Sequence, residues 1–536
     1  MIYINRFFLS IFNRFKRIYL NSNFYDQRIS KVENSPLIYK PSPHLLSSLI
    51  KYQKKKFKIE DFYSKDIWVD KNLSSKEFKN LNSFHWFFSL DLKSSKQTTQ
   101  SIIIHWTQNN SRYNYKSWEF DITAKRIIAW LSCYNLTYDE SEQNYKNNFN
   151  KIIQKQTNHL INEINKSKLI DDKLIGCASI ILVGLCYQNE KNYLSYGSSL
   201  LKKISKIILD NYGFPKSRSI KQLIFYLKYF ILIREWFKEA QKNVPEHIDE
   251  TIYYLSQGYS FFKIDSSTDF LFNGNNISKN KEFDNYLKRL GYKFKNENQE
   301  LGGYIILKNK RTCLIMDAGP APNSKYSRDY QSGALSFEIV SGGNKLISNC
   351  GYYKENDSKL NQISKSSATQ STLVIDDNSS CKFKRDNGFF LIKDNLKIIK
   401  KSTTFEKNYW KISASHDGYL KKYNSIHERI IEFFPDQMSF IGHDKIIKKK
   451  TNHHYKFDIR FHIEPNVKLM KTLDNRAILI ELQDEGWKFT CDNFDINIDN
   501  GLYFGNKNLY TENQNIYITG ISNNQIEDIK WEIKKI

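Results

Sequence analysis

Residues 212–219, YGFPKSRS, bring a phenol, an ammonium group and a guanidinium group together in one short loop. The loop precedes a long amphipathic segment that starts at Ile220 and predicts a helix. Free backbone N–H groups and the helix dipole make such a position attractive to anions. Lys216 and Arg218 add charge, and arginine can hold a carboxylate through two parallel hydrogen bonds. The loop therefore indicates an anion-binding position, with a plain solvated helix entrance as the alternative.

Two further stretches place polar side chains directly before the start of predicted strands. Residues 329–338 read DYQSGALSFE, and residues 368–381 read ATQSTLVIDDNSSC. Gln331 and Gln370 occupy positions where a reactive side chain would be well placed, yet an amide can only donate or accept hydrogen bonds and cannot transfer a proton. Tyr330 and Tyr212 carry hydroxyl groups that can.

Three histidines in predicted strands, His416, His427 and His462, are candidates for metal ligands or bases. A single histidine in a strand more often makes a structural hydrogen bond, so we favour that role for all three. Asp417 and Gly418, directly after His416, predict a hairpin turn.

The elements that must position these residues differ between the two halves of the chain. Apolar residues at three- and four-residue spacing predict helices around residues 121–131, 152–164, 174–185, 220–240 and 248–262, in the manner of stacked helical hairpins. From Gly302 onward, fourteen short β-type runs alternate with turn residues, which predicts an antiparallel sandwich. The polar segment 279–300 is the predicted junction.

Composition sets limits on the class of protein. With 81 Lys and Arg against 57 Asp and Glu, the 536-residue chain has a net charge of +24, which favours acidic partners, although an AT-rich genome would also enrich lysine. The seven cysteines are widely spaced and predict buried thiols rather than a disulfide framework or a zinc site. Residues 1–22 predict an ordinary first helix rather than a cleavable signal peptide, with a basic amphipathic helix lying on a membrane as the alternative. No apolar run is long enough to span a membrane.

Several motifs occur in the order typical of one family. They are FHWFFSLDL (84–92), Trp118 with Arg126 and Trp130, GFPKSRS (213–219), FLFNG (270–274), LSFE (335–338), SNCG (348–351), STLVIDD (371–377), SHDGY (415–419), HER (427–429), RFHIEP (460–465) and GWKF (486–489). Through them, nearly the whole chain resembles the heparinase II/III-like family, in the branch common in alphaproteobacteria.

The resemblance implies an α+β multidomain fold, with an incomplete α/α toroid over residues 1–290 followed by an antiparallel β-sandwich over 291–536. Characterised relatives are lyases that cut uronate polysaccharides by β-elimination. This reaction needs a donor or cation at the uronate carboxylate, a base for the C5 proton and an acid for the leaving oxygen. Relatives usually divide these roles between His and Tyr in a cleft between the domains.

Departures from the family pattern concern the groups that move protons. Two family histidines align with Gln331 and Gln370, a third aligns with Pro215, and a catalytic tyrosine aligns with Gln222. Three explanations stay open: other proton carriers nearby (Tyr212, Tyr326, Tyr330 or Lys216), a protein that binds acidic glycan without cutting it, or a shift of one or two residues in the aligned loops.

The resemblance thus implies a lyase-like protein acting on an acidic polysaccharide, with a catalytically inactive glycan-binding or envelope-polysaccharide assembly protein as the alternative. We expect Lys216 and Arg218 to bind carboxylate or sulfate groups, Gln331 and Gln370 to hydrogen-bond a uronate carboxylate, and Tyr212 or Tyr330 to transfer protons. Nucleotide and peptidase-type zinc motifs are absent from the sequence, so we expect no nucleotide cofactor and no such zinc site. Some relatives hold a metal in the sandwich through His and Asp, and because this chain has Gln331 we do not expect that metal here.

Charge alone would permit nucleic-acid binding, but no motif supports it, and we expect none. The resemblance implies the cell envelope or periplasm, whereas the lack of a clear signal peptide leaves the cytoplasm open. The sequence gives no oligomeric state.

Overall fold

A computed structural model describes residues 14–32, 35–47, 49, 68, 73–89, 96–188, 192–263, 269–277, 281–355, 358–386, 388–450, 454–506 and 509–536. The chain forms two compact units. The first comprises Met1–Ile208, Tyr226–Tyr253 and Glu282–Tyr292, and the second comprises Leu209–Phe225, Tyr254–Lys281 and Lys293–Ile536. The predicted N-terminal helix, the end of the FHWFFSLDL motif and the centre of the predicted turn at 386–388 lie partly outside the described residues.

Helices build the N-terminal region. The described α-helices are Asn23–Ile29, Pro43–Ser47, Ser75–Ser83, Lys96–Asn110, Phe120–Ser132, Tyr134–Thr137, Gln143–Glu163, Ile170–Cys186, Tyr193–Ile208, Ile220–Glu239, Glu246–Phe261, Lys281–Arg289, Lys359–Ser364 and Leu420–Tyr423. Within the first unit, Phe120–Ser132 packs against Ser75–Ser83, Gln143–Glu163 and Ile170–Cys186. All five predicted helical segments are confirmed, and a helix also occupies part of the polar segment predicted as the junction.

A buried arginine organises the centre of the first unit. Arg126 donates to Gln156 Oε1 at 2.8 Å and to the carbonyls of Asn82 and Ser117 at 3.0 and 2.9 Å. Its guanidinium also lies 4.1 Å from the centre of the Trp106 ring. These oxygens and the aromatic face compensate a positive charge that no ion pair neutralises within the described residues. Arg126 is therefore a structural residue of the helical core.

Antiparallel strands build the C-terminal region. They are β1 (Glu300–Leu301), β2 (Tyr304–Lys308), β3 (Thr312–Asp317), β4 (Phe337–Ser341), β5 (Asn344–Ile347), β6 (Leu373–Ile375), β7 (Phe383–Asp386), β8 (Phe389–Ile392), β9 (Ile398–Phe405), β10 (Trp410–His416), β11 (Ser425–Phe434), β12 (Ser439–Lys448), β13 (Tyr455–His462), β14 (Lys468–Lys471), β15 (Ala477–Leu482), β16 (Glu485–Cys491), β17 (Ile496–Tyr503), β18 (Thr511–Ser522) and β19 (Ile526–Lys535). The sheets have the orders β1-β2-β3-β4-β5, β14-β15-β16-β19-β12-β11-β10-β9, β17-β18-β13-β6 and β7-β8. The predicted antiparallel β-domain is confirmed.

Aromatic side chains join the sheets into one core. The Trp531 ring of β19 stacks on Phe337 of β4 at 5.5 Å between centroids and meets Phe461 of β13 edge-on at 5.0 Å. Gly442 of β12 makes room for this indole, because a Cβ there would lie 2.0 Å from it. The loops carrying Tyr330, Gln331 and Gln370 are thus anchored to a rigid apolar core.

Six of the seven cysteines are buried free thiols, as predicted, and Cys491 is half-buried. In the described part of the chain, every helix is too short or too polar to cross a lipid bilayer.

Candidate functional site

The loop before the long helix Ile220–Glu239 is held by an aspartate that the sequence did not single out. Asp210 Oδ1 accepts hydrogen bonds from the backbone N–H groups of Tyr212 and Phe214, both at 2.9 Å. The Tyr212 side chain is 76% exposed, whereas Phe214 is buried. Gly213 has a φ of +76°, and a Cβ there would collide with Tyr254 at 2.2 Å. The loop therefore presents the Tyr212 phenol to solvent on a fixed backbone.

Arg218, at the end of this loop, anchors the loop to the β-domain through its buried side chain. All five of its N–H donors are used: Nε bonds to the Gly302 carbonyl, Nη1 to those of Gly319 and Pro320, and Nη2 to the Gly303 carbonyl and to Asp317 Oδ1. Burial acts to lower the pKa of this group, but the Asp317 carboxylate outweighs burial and the pKa is raised. In this structure Arg218 therefore has no donor left for a substrate anion, in contrast to its predicted role.

Two glycines lie directly against this guanidinium. A Cβ added to Gly319 would lie 2.4 Å from Arg218 Nη2, and one added to Gly303 would lie 2.9 Å from the same atom. The backbone carbonyls can reach Arg218 because no side chain stands between them.

The ion pair continues into a buried hydrogen-bond network. Asp317 Oδ2 accepts from Asn273 Nδ2 at 3.1 Å, and Asn273 Oδ1 accepts from the Gln331 backbone N–H at 3.2 Å. The Tyr304 hydroxyl also accepts from Asn273 Nδ2, at 2.6 Å, and donates to the Arg218 carbonyl at 2.7 Å. Arg218 and Gln331 are thus linked through two residues, Asp317 and Asn273, for which the sequence reasoning assigned no role.

Gln331 and Gln370 belong to this same network. Gln331 Nε2 donates to the carbonyls of Gly351 and Ser364 at 2.9 and 2.6 Å, and its Oε1 accepts from the Gly274 N–H at 3.1 Å. The Thr369 hydroxyl accepts from Gln370 Nε2 at 3.2 Å, and its single proton lies between the Ser366 carbonyl at 2.9 Å and the same Ser364 carbonyl at 3.2 Å.

The two amides are therefore brought together, but as buried groups bonded to protein atoms. Each residue is 1% exposed. Contact with a uronate would require Gln331 to exchange the main-chain partners that it has in this structure.

Tyr330 is also buried, with 1% of its surface exposed. Its hydroxyl makes no hydrogen bond of ordinary geometry to a described residue, and the Cys381 thiol is a polar neighbour. Burial raises the pKa of Tyr330 well above its ordinary value, so the phenol stays protonated. Of the two predicted proton carriers, Tyr212 is exposed to solvent and Tyr330 is not. Lys216, four residues after Tyr212 in the sequence, is half-buried.

A charged cluster next to Gln331 was not predicted. Arg328 pairs with Asp329 at 3.2 Å, and buried Lys365 donates to the carbonyls of Arg328 and Phe390 at 2.5 and 2.7 Å. Burial lowers the pKa of Lys365 to about 8. For Asp329, burial raises the pKa but Arg328, Lys221 and Lys365 together lower it to about 2. The position of Asp329, two residues before Gln331 in the sequence, was the available signal.

The histidines of the SHDGY and HER motifs form a structural chain. The Gly418 N–H donates to His416 Nδ1 at 3.0 Å, so His416 Nε2 carries the proton that it donates to His427 Nδ1 at 3.2 Å. His427 Nε2 then donates to Asp444 Oδ1 at 2.7 Å. Asp444 also binds Arg429 and the Trp531 indole N–H. Burial lowers the pKa of both histidines, so both are neutral hydrogen-bonding groups.

The third histidine, His462, fixes the segment that carries Gln370. Its Nε2 donates to the Ala368 carbonyl at 2.9 Å, which leaves Nδ1 to accept from the Cys350 thiol at 3.1 Å. Burial lowers the pKa of His462 to about 3 and raises that of Cys350, so this buried pair holds a neutral imidazole and a neutral thiol. In the described parts of the chain, no three His, Cys, Asp or Glu side chains are placed to hold a metal ion.

Comparison with known proteins relates the C-terminal region of the chain to a known family. Residues 297–532 match the family model described as "Heparinase II/III-like, C-terminal". Residues 297–532 of this chain therefore form a heparinase II/III-like C-terminal region. The matched heparinase II/III-like region contains Tyr330, Gln331 and Gln370, whereas Tyr212, Lys216 and Arg218 precede it.

Solved structures resemble the fold of this chain over 96% of its length. A mutant of the heparan sulfate lyase HepC from Pedobacter heparinus has 11% identity and a TM-score of 0.68, with 87% of that chain covered. Two heparinase III structures have identities of 13% and 14% and TM-scores of 0.72 and 0.67, with 88% and 89% of those chains covered. At these identities the comparison establishes the heparinase fold. No curated protein matches the sequence.

Proposed function

We propose that this protein acts on an acidic, uronate-containing polysaccharide and cleaves it by β-elimination. The observation that carries the proposal is the fold: 96% of the chain superposes on heparinase III at a TM-score of 0.72, and residues 297–532 match the heparinase II/III-like family. The net charge of +24 suits a polyanionic substrate.

Within this proposal, Tyr212 is the proton carrier and Lys216 meets the uronate carboxylate. Tyr212 is 76% exposed. The hydrogen bond from the Tyr212 N–H to Asp210 and the ion pair of Arg218 with Asp317 fix the loop that carries Tyr212 and Lys216. A positioned phenol can serve as acid or base, and an ammonium group stabilises the charge that develops on the carboxylate as C5 loses its proton. Gln331 and Gln370 act here as framework residues.

The test is incubation with a panel of uronate polymers, following the ultraviolet absorbance of the unsaturated product. We expect at least one polymer to be cleaved, and Tyr212→Phe to reduce kcat by about 10²-fold or more, as for loss of a general acid or base. Tyr510→Phe is the matched control, because Tyr510 is an exposed phenol (53%) of the same unit. Equal turnover by both variants would eliminate Tyr212 as proton carrier.

A second candidate is a protein that binds acidic glycan, or assembles it at the envelope, without cutting it. The replacement of proton-active residues by Pro215, Gln222, Gln331 and Gln370 favours it, because neither proline nor glutamine can exchange a proton. Saturable binding of a uronate polymer, with no absorbance change for any polymer of the panel, would support this candidate over the lyase.

A further inference from the structure

A separate pocket lies in the β-domain, away from the Arg218 loop in sequence. It has a volume of about 380 Å³ and is formed by residues 378–380, 382, 394–395 and 417–423. This volume is at the lower end of the range of small-molecule sites, about 300–1,000 Å³. It suits a short saccharide rather than a long chain.

The charged residues that line the pocket have a net charge of one positive unit. Its walls carry Lys382, Lys421 and Lys422 against Asp394 and Asp417. Both carboxylates are engaged: Asp394 pairs with Lys421 at 3.4 Å, and Asp417 Oδ1 accepts the Lys397 N–H at 2.7 Å.

Lys382 and Lys422 have no carboxylate within ion-pair distance among the described residues. The neighbouring stretch 382–401 has seven basic and two acidic residues, whereas Asp376 and Asp377 precede the lining residue Asn378.

One wall of the pocket is firmly held by hydrogen bonds. The Ser367 hydroxyl accepts the Ser380 N–H at 3.0 Å, and the Ser367 N–H donates to the Ser379 hydroxyl at 3.0 Å. Ser367 begins the short 3₁₀ turn Ser367–Thr369 that leads directly to Gln370. The wall is therefore preorganised, and it shares an element with the amide network.

We propose that this pocket binds one acidic sugar unit, carboxylated or sulfated, as a second glycan position of the protein. The ammonium groups of Lys382 and Lys422 bind the acid group, and the polar side chains of Asn378 and Asn395 face the sugar hydroxyls. The ligand class rests on the proposed function, whereas the presence of an anion-binding pocket rests on the lining residues.

The experiment is calorimetric titration at low salt with a hexuronate tetrasaccharide and, separately, with inorganic sulfate. We expect the Lys382→Gln/Lys422→Gln double variant to lose one tetrasaccharide-binding event, or to bind it about tenfold more weakly, as loss of charge-assisted hydrogen bonds implies. Lys384→Gln/Lys468→Gln is the control, because both lysines are exposed in the same unit and do not line the pocket.

Two results would overturn the proposal. One is unchanged tetrasaccharide binding by the pocket variant. The other is sulfate binding as tight as that of the tetrasaccharide, which would make this an anion site with no role for the sugar. Failure of the proposed function is distinguishable, because a protein that cleaves no polymer can still show the lysine-dependent binding event, and a cleaving enzyme can lack it.

Discussion

Arg218 and Asp317 lie 99 residues apart in sequence and form an almost fully buried ion pair. Nη2 of the arginine donates to Oδ1 of the aspartate at 2.5 Å, and the side chains are 7% and 1% exposed. The pair joins the loop of Tyr212 and Lys216 to the end of β3, so the position of both proposed substrate contacts depends on it.

Removing the charge of Asp317 should strongly destabilise the protein. Asp317→Asn leaves the Arg218 guanidinium buried without a counterion, and we expect a loss of about 3–5 kcal/mol in the free energy of unfolding. The control is Asp249→Asn: Asp249 pairs with Arg234 at the same 2.5 Å, but those side chains are 50% and 27% exposed. For this surface pair about 1 kcal/mol or less is expected. Urea unfolding of both variants provides the comparison, and equal losses would contradict it.

Gln331 and Gln370 should differ in their contribution to stability although both are equally buried. Gln331→Met leaves the Gly351 and Ser364 carbonyls and the Gly274 N–H without the partners that Gln331 supplies, and we expect a cost of about 3 kcal/mol. Gln370→Met removes a single side-chain bond to Thr369 and should cost about 1 kcal/mol. Unfolding curves that rank Gln370→Met as the more damaging change would contradict these hydrogen-bond partners of Gln331 and Gln370.

Two buried tyrosines, Tyr304 inside the network and Tyr330 outside it, predict different effects of the same substitution on stability. Tyr330→Phe removes a hydroxyl that lacks an ordinary hydrogen bond, so stability should stay equal or rise by about 1 kcal/mol. Tyr304→Phe removes a hydroxyl that bonds both Arg218 and Asn273, and should cost about 1–3 kcal/mol. Thermal unfolding distinguishes them, and a marked loss in Tyr330→Phe would indicate a partner for its hydroxyl.

Asp329 should make stability depend on pH in the acidic range. Its pKa is lowered from 3.8 to about 2, so its ionised form stabilises the folded state above about pH 4. That stabilisation, about 2 kcal/mol, is lost as the pH falls from about 4 to about 2. The difference in unfolding free energy between wild type and Asp329→Asn should shrink by this amount over that window. Arg328→Gln should reduce the effect, and a difference that stays constant with pH would exclude it.

The fold was accessible from the sequence because its signals are local. Apolar periodicity located the helices of the first half, and WKISASH coincides with the strand Trp410–His416. Short strands with few apolar residues gave no such signal: Phe383–Asp386 and Lys468–Lys471 are mostly exposed, so no burial pattern marks them.

The site was only partly accessible, because its partners are distant in sequence. The sequence identified Arg218, Gln331 and Gln370 as functional candidates, and the structure joins all three in one network. The sequence could not show that Asp317 and four backbone carbonyls use every N–H donor of Arg218. Nor could it show that the Gln331 side chain makes its hydrogen bonds to main-chain atoms. Charge and residue type favour an anion or a uronate for these groups, whereas burial decides between substrate and protein partners.

The close approach of Gly303 and Gly319 to Arg218 limits how this part of the molecule can evolve. A side chain at either glycine would occupy the space of the Arg218 guanidinium, so such a substitution requires that a smaller residue first replace Arg218. Replacing Arg218 first would leave the buried Asp317 carboxylate without its counterion. We therefore expect Gly303, Gly319, Arg218 and Asp317 to vary together, so that homologues that differ at one of these positions differ at the others.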